Sequence, residues 1–139
     1  MKNAFFTHKS YFTGGMEVVF QILAAENKPK KILDIPAGNG LLGERLRELS
    51  HVVVNADINR EKPDFIFADM NENLPFADGE FDAVSCMEGI EHTLEPMMLI
   101  KELCRMPRDY VRTLINFDIG KTLNAILYRM KLVRYEPKL

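Results

Sequence analysis

A glycine-rich turn and three carboxylates are the features of this sequence whose residue types and spacing suit ligand binding. The turn, DIPAGNG, begins at Asp34 and contains Gly38 and Gly40. Glycines let the backbone approach a ligand closely, and a helix that starts after the turn offers free N–H groups to polar ligand atoms. Two further carboxylates, Asp57 and Asp69, each follow a short apolar run. We therefore expect a ligand with hydroxyl and cationic groups.

Two cofactors fit the glycine turn in different ways. Gly38, Gly40 and Gly43 satisfy the dinucleotide pattern GxGxxG, and Asp57 lies 19 residues beyond Gly38, where a ribose-binding acid is expected. A carboxylate at Asp34, however, would repel a pyrophosphate and attract a cation. S-adenosylmethionine carries a sulfonium, an ammonium and a ribose, so it is the cofactor that we expect.

A second group of residues that could bind a metal or take part in catalysis lies in the sequence EGIEH. Glu88, Glu91 and His92 have the i, i+3, i+4 spacing that would place them on one face of a helix. Two carboxylates and an imidazole form a ligand set compatible with a divalent metal, although no fourth ligand can be identified. Alternatively, His92 could serve as a general base. The sequence leaves both roles open.

The two cysteines are expected to be reduced thiols without catalytic chemistry. Cys86 and Cys104 are too few for a disulfide framework and do not form a CxxC pair. A nucleophilic thiolate needs a nearby cation or helix N-terminus, whereas the charged residues near Cys86 are Glu88 and Glu91. We therefore expect Cys86 to be a buried thiol.

The elements that must position these residues alternate between helices and strands. We predict helices over Met16–Glu26, Leu41–Leu49, Glu95–Met106 and Ile119–Val133, and strands over Lys31–Ile35, His51–Ala56, Asp64–Ala68, Phe81–Ser85 and Tyr110–Phe117. This order predicts an α/β fold, doubly wound, with a mainly parallel sheet of about five strands and helices on both faces. Ligands of such sheets bind beyond the carboxyl ends of the strands.

Length and composition exclude several classes of protein. A chain of 139 residues, with 47% hydrophobic and 27% charged residues, is the size of one globular domain spanning 1–139. The net charge of −2 argues against a nucleic-acid partner. The apolar stretches are far shorter than the ~20 residues of a membrane span, and the N-terminus does not resemble a signal peptide. We expect a cytoplasmic protein without a membrane partner.

Several strings of this sequence resemble successive motifs of the Rossmann-like (class I) S-adenosylmethionine-dependent methyltransferases. They are ILDIPAGNG, LPFADGEFDAV and SCMEGIEHTLEP, with Asp57 after the second strand and Asp69-Met70 after the third. The resemblance implies that the turn wraps the methionine part of the cofactor, that Asp57 holds the ribose hydroxyls, and that Asp69 and Met70 border the adenine. The cofactor-binding residues that it implies are Asp34, Ala37, Gly38, Asn39, Gly40, Asp57, Ile58, Asp69, Met70 and Cys86.

The sequence ExxEH is also similar to the metal-binding motif of two groups of methyltransferases. These are the ubiquinone-pathway O-methyltransferases and the small-RNA 2′-O-methyltransferases, in which the ion orients a substrate hydroxyl. The similarity implies a divalent metal at Glu88, Glu91 and His92. An EH pair at this place is nevertheless widespread among methyltransferases with unrelated substrates.

Together these features predict transfer of a methyl group from S-adenosylmethionine to an oxygen, nitrogen or carbon nucleophile of a small molecule. Glu91 or His92 would assist catalysis if the acceptor must lose a proton. Two alternatives remain, an NAD-dependent oxidoreductase and a truncated, non-catalytic methyltransferase-like binding domain. The second could bind a partner through the basic segment 121–139, which has five Lys and Arg against one Glu.

Two features depart from the pattern of the family. Only six residues separate Asp57 from Asp64, whereas a parallel crossover needs a dozen or more, so the third strand must be short or irregularly joined. The family usually continues with a C-terminal antiparallel hairpin, which we expect this short chain to lack. The exposed edge of a fifth strand would then suit a homo-oligomer. A compact variant and a shortened, poorly folding gene product are the other two interpretations.

Overall fold

A parallel sheet with helices on both faces forms the framework of this protein in a computed structural model, which describes residues 12–108 and the backbone of residues 113–116. The helices are α1 (Gly14–Ala24), α2 (Leu41–Glu48) and α3 (Pro96–Arg105), and the strands are β1 (Lys31–Asp34), β2 (Val52–Asp57), β3 (Ile66–Phe67), β4 (Ala83–Met87) and β5 (Thr113–Asn116). All neighbouring strands are parallel, in the order β3-β2-β1-β4-β5. The predicted doubly wound α/β fold is confirmed. The helix predicted over Ile119–Val133 lies outside the described residues.

Strand β1 contributes to a hydrophobic core on each side of the sheet. Successive side chains of a strand point to opposite faces, so Ile32 packs with buried residues of α1 and α2, whereas Leu33 packs with Leu99 and Leu103 of α3. Both faces are therefore apolar, and the buried polar residues of β1 and β2 lie towards the carboxyl ends of the strands.

Of the element boundaries that differ from those predicted, two have a clear local cause. Helix α1 begins at Gly14 rather than Met16, because the Thr13 side chain accepts a hydrogen bond from the Met16 N–H at 3.2 Å and caps the helix before both glycines. Strand β4 lies two residues further along the chain than predicted, since Phe81 forms only an isolated bridge with Pro107. The pairing of β4 with β1 begins at Ala83.

The connection between β2 and β3 consists of residues 58–65 and contains no helix. Strand β3 is only two residues long, and its Ile66 and Phe67 pair with Ala56 and Asp57. The prediction of a short third strand is therefore confirmed. Among the described residues, no helix combines the length and the apolar character that a membrane span requires.

Candidate functional site

The turn after β1 is attached to both strands that flank β1. The Ile35 N–H donates to the Ser85 carbonyl of β4 at 3.0 Å, and the Ala37 N–H donates to the Ala56 carbonyl of β2 at 2.9 Å. Gly38 and Gly40 have φ values of 56° and 82°, a region in which a side chain would be strained. The glycines thus let the chain turn sharply at the carboxyl edge, with Asn39 between them.

Asp57, the last residue of β2, binds this turn directly. Its Oδ2 accepts a hydrogen bond from the Gly38 N–H at 2.9 Å, and its Oδ1 accepts one from the Asn59 N–H at 2.9 Å. A carboxylate offers about four lone-pair sites, so both oxygens retain capacity for hydroxyl donors. The side chain therefore fits the ribose hydroxyls that the family resemblance implies. The next residue, Ile58, is exposed.

Asp34, the last residue of β1, is a buried carboxyl beside the turn, with only 3% of its surface exposed. Burial, together with the smaller effect of the negative charge of Asp57, raises the pKa of Asp34 to about 7. A cation placed nearby would favour the ionised form. The site therefore fits a ligand with a positive charge, such as S-adenosylmethionine, better than one with a pyrophosphate.

Gly89 brings the segment after β4 against the turn. A Cβ atom at Gly89 would lie 2.7 Å from both Cys86 Sγ and Pro36 Cδ, and 3.3 Å from Met70 Sδ. Those distances leave no room for a side chain, so the segments that follow β1, β3 and β4 meet at this glycine. The sequence reasoning missed Gly89, for which the only signal was a glycine four residues beyond the end of a predicted strand.

Cys86 lies inside β4 rather than after it, so its predicted place beyond the strand was wrong. The thiol is fully buried in the core, which confirms the prediction of a buried residue. Burial raises the pKa of Cys86 far above its usual value, and the charges of Asp34 and Glu91 raise it further. The thiol therefore stays protonated and is no nucleophile, while its predicted contact with the cofactor remains a prediction.

The proposed helical arrangement of Glu88, Glu91 and His92 was wrong. Glu88 has a φ of 53° and precedes a single 3₁₀ turn over Ile90–His92, so the i, i+3, i+4 spacing does not place the three side chains on one helical face. Within residues 12–108, no three His, Cys, Asp or Glu side chains form a group that could hold a metal ion. The metal-ligand set is therefore not supported. Glu91 is half-buried and His92 is exposed, and their catalytic roles remain predictions.

The turn after β3 contains the predicted adenine-side residues, both half-buried. Asp69 Oδ1 accepts a hydrogen bond from the Asn71 N–H at 2.9 Å, and Met70 packs against the core on the α3 side. Sequence reasoning missed Asn71. Its signal was an Asp-x-Asn spacing of a kind common in turns.

A separate cavity of about 390 Å³ lies between α2 and the β2–β3 connection. Of the predicted cofactor-binding residues, it contains only Asn39 and Gly40. Its lining consists of Asn39, Gly40, Glu44, Arg47, Asn55, Lys62, Pro63, Asp64 and Phe65. Because Asp34, Asp57 and Asp69 do not line it, this cavity adjoins the candidate cofactor site at Asn39 and Gly40 without coinciding with it.

Comparison with known sequences identifies the family. A model of a methyltransferase domain matches residues 14–116. The chain is 27% identical over 126 residues to a ubiquinone biosynthesis O-methyltransferase of Vibrio campbellii, a match that covers 78% of this chain and 54% of that enzyme. It is 33% identical over 96 residues to a demethylmenaquinone methyltransferase of Paenarthrobacter aurescens, covering 62% and 38%. The chain thus spans about half the length of the Vibrio relative.

Solved structures share the fold. A 1,6-didemethyltoxoflavin-N1-methyltransferase of Burkholderia thailandensis, determined with 1,6-didemethyltoxoflavin and S-adenosylhomocysteine bound, superposes with a TM-score of 0.67 and 17% identity, covering 85% of this chain and 67% of that one. The PH0226 protein of Pyrococcus horikoshii superposes with a TM-score of 0.62 and 23% identity, covering 92% and 68%. The chain belongs to the methyltransferase-domain family, among the Rossmann-like (class I) S-adenosylmethionine-dependent methyltransferases.

Proposed function

We propose that this protein transfers the methyl group of S-adenosylmethionine to a small-molecule acceptor in the cytoplasm. The observation that carries the proposal is the acidic edge of the sheet, where the buried carboxyls of Asp34 and Asp57 flank the turn at Gly38. Negative charge in a buried site attracts a cation far more strongly than it would in water. Membership of the methyltransferase-domain family supports the same ligand.

Each group of residues has a distinct part in this proposal. S-adenosylmethionine supplies an electrophilic methyl group on its sulfonium. Asp34 attracts the positive charge, and Asp57 accepts hydrogen bonds from the ribose while it holds the turn through Gly38. Asp69 and Met70 border the adenine on the β3 side. Because the cofactor carries its own leaving group, holding donor and acceptor in line supplies most of the rate enhancement.

We infer that the acceptor binds near the segment that follows β4 and contains Glu91 and His92. If the acceptor is a hydroxyl, one of these two side chains would remove its proton. The relatives are named for ubiquinone biosynthesis and for demethylmenaquinone, so phenols and quinones are the first acceptors to test. Release of S-adenosylhomocysteine with such compounds, reduced in Glu91→Gln or His92→Ala, would support this assignment.

Calorimetric titration with S-adenosylhomocysteine tests the cofactor assignment, with NADH as the competing ligand. We expect wild-type protein to bind S-adenosylhomocysteine and not NADH, and Asp57→Asn to bind at least about tenfold more weakly through loss of a charged acceptor. Asp64→Asn, at an exposed carboxylate in the β2–β3 connection, is the matched control and should bind normally. No heat with S-adenosylhomocysteine at millimolar concentration would contradict the proposal.

The NAD-dependent alternative differs in its ligand. A Cβ atom at Gly43 would lie 2.5 Å from the Asn55 Oδ1 atom, so close packing of α2 on β2 requires this glycine whichever of the two cofactors binds. The non-catalytic alternative predicts that the cofactor binds but that no methyl group is transferred. Binding of S-adenosylhomocysteine without methyl transfer to any acceptor would favour that alternative.

A further inference from the structure

Asn71 connects the turn after β3 to the segment after β4. Its backbone N–H donates to Asp69 Oδ1 at 2.9 Å, and its side-chain Nδ2 donates to the same oxygen at 3.3 Å. Its Oδ1 accepts a hydrogen bond from the Leu94 N–H at 2.8 Å. A single amide side chain therefore joins a carboxylate on one side of the candidate site to the backbone on the other.

The Leu94 end of this connection is not maintained by packing. The Leu94 side chain is 85% exposed, so it gains little from the core. Thr93 donates to the Ile90 carbonyl through both its N–H and its hydroxyl, at 3.2 and 3.0 Å. Those bonds fix the local shape of the segment, whereas the bond from Leu94 to Asn71 fixes its place relative to Asp69.

The chemistry of the connection requires an amide. Asparagine offers two donors and an acceptor on one short side chain. Aspartate at position 71 could still accept from Leu94, but it would lose the donor to Asp69 and place a second negative charge beside it. Alanine would lose both side-chain bonds. The two substitutions therefore separate the Asp69 end of the connection from the Leu94 end.

We propose that Asn71 is a positioning residue that couples occupancy of the adenine side, at Asp69, to the placement of Glu91 and His92. This inference rests on the proposed function. A ligand that bonds to Asp69 restricts that carboxylate, and the hydrogen bonds from Asn71 extend the restriction to Leu94, three residues beyond Glu91. Cofactor binding then orders the segment that faces the acceptor.

Hydrogen exchange of the full chain, with and without saturating S-adenosylhomocysteine, tests this coupling. In wild-type protein we expect the ligand to slow exchange in residues 66–72 and in residues 88–95. In Asn71→Ala the ligand should still protect residues 66–72, but its protection of residues 88–95 should fall about fivefold, since one hydrogen bond is lost. Asn73→Ala, at an exposed amide of the same turn, is the matched control and should match wild type.

A purely structural role gives a different result. It would raise exchange of residues 88–95 in ligand-free Asn71→Ala and leave the ligand-dependent difference unchanged, which would overturn the inference while cofactor binding stands. Asn71→Asp provides a second variant, for which we expect weaker S-adenosylhomocysteine binding, with residues 88–95 exchanging in the ligand-free variant as they do in ligand-free wild type. Wild-type affinity in that variant would also overturn the coupling. Absence of S-adenosylhomocysteine binding to wild type would overturn both this inference and the proposed function.

Discussion

Two acidic regions of the protein hold their carboxyls in opposite ways. At the sheet edge, formed by Asp34 and Asp57, burial raises the pKa of Asp34 to about 7. On the α3 flank, formed by Glu102, Arg105 and Asp78, hydrogen bonding from Arg105 lowers the pKa of Glu102. One region thus disfavours its negative charge, whereas the other stabilises it.

The α3 flank satisfies its charges within the protein. Arg105 donates to both carboxylate oxygens of Glu102 at 2.8 and 2.6 Å, and to Asp78 at 3.0 Å. It also donates to the carbonyls of Leu74 and Phe76, at 3.0 and 2.6 Å. Glu102 in turn accepts from the Leu74 N–H at 2.8 Å. These hydrogen bonds attach the segment before β4 to α3.

This difference distinguishes the α3 flank, which stabilises the fold, from the sheet edge, which is suited to bind a ligand. The charges on the α3 flank have partners of opposite sign, so a ligand there could add little. At the sheet edge, burial opposes the charge of Asp34, and a cationic ligand would supply the missing compensation. A functional site that conflicts with local stability in this way is common in enzymes.

The largest effect that we expect is on the α3 flank, where Arg105→Ala should lower the free energy of unfolding by about 3 kcal/mol. The substitution leaves Glu102 without its cation and removes the guanidinium donor of the Phe76 carbonyl, whereas the Leu74 carbonyl still accepts from the Phe76 N–H. Urea denaturation measures the loss. Arg105→Lys keeps the charge but not the forked geometry and should be intermediate. A loss below about 1 kcal/mol would mean that the network is not a stabilising one.

The same contrast explains what the sequence could predict. Asp34 and Asp57 were identified because strand ends and glycine turns are local signals, and parallel strands bring their carboxyl ends to one edge. Arg105 and Asn71 were missed because their partners are distant in the chain, Leu74 being 31 residues from Arg105 and Leu94 being 23 residues from Asn71. No local pattern encodes such contacts.

Two local predictions failed for physical reasons that the sequence does not show. The spacing of Glu88 and His92 matches a helix, but Glu88 has a positive φ and the following turn is a single 3₁₀ turn. Phe81 is apolar and lies two residues before the strand, so hydropathy alone includes it in β4. The pairing of Ala83 with Ile32 sets the actual start.

The second largest effect that we expect is on the affinity of the sheet edge for the cofactor, which should increase with pH. Since the pKa of Asp34 is about 7, its ionised fraction rises about tenfold between pH 6 and pH 8. A ligand with a cationic group should therefore bind up to about tenfold more tightly at pH 8. Titration of wild type and Asp34→Asn with S-adenosylhomocysteine measures this, and the variant should show a flatter profile. If affinity changed equally with pH in both proteins, a group other than Asp34 would be the one that titrates.

Protein stability should change with pH in the opposite direction. The pKa of Asp34 is raised from its ordinary value of 3.8 to about 7, so the folded protein holds this proton more tightly than the unfolded chain. The associated stability is present in full below the ordinary pKa and is lost as pH rises through 7, a loss of about 1 kcal/mol between pH 6 and pH 8. Thermal unfolding of Asp34→Asn should lack this part of the decline. A variant that declines as steeply as wild type would show that Asp34 ionises freely.

The smallest effect is expected at Arg108, whose ion pair resembles those of Arg105 only in distance. Arg108 donates to Asp82 Oδ1 at 3.1 Å, but its side chain is 64% exposed, so Arg108→Ala should change the free energy of unfolding by less than about 0.5 kcal/mol. Asp82→Ala should cost about 1 kcal/mol, because Asp82 Oδ2 also accepts from the Lys31 N–H at 2.8 Å at the start of β1. Urea denaturation of both variants separates the two contributions. An equal loss of unfolding free energy in Arg108→Ala and Asp82→Ala would mean that the exposed ion pair is the stabilising element. The stability of the α3 flank would then come from charge pairing rather than from the hydrogen bonds that Arg105 donates to backbone carbonyls.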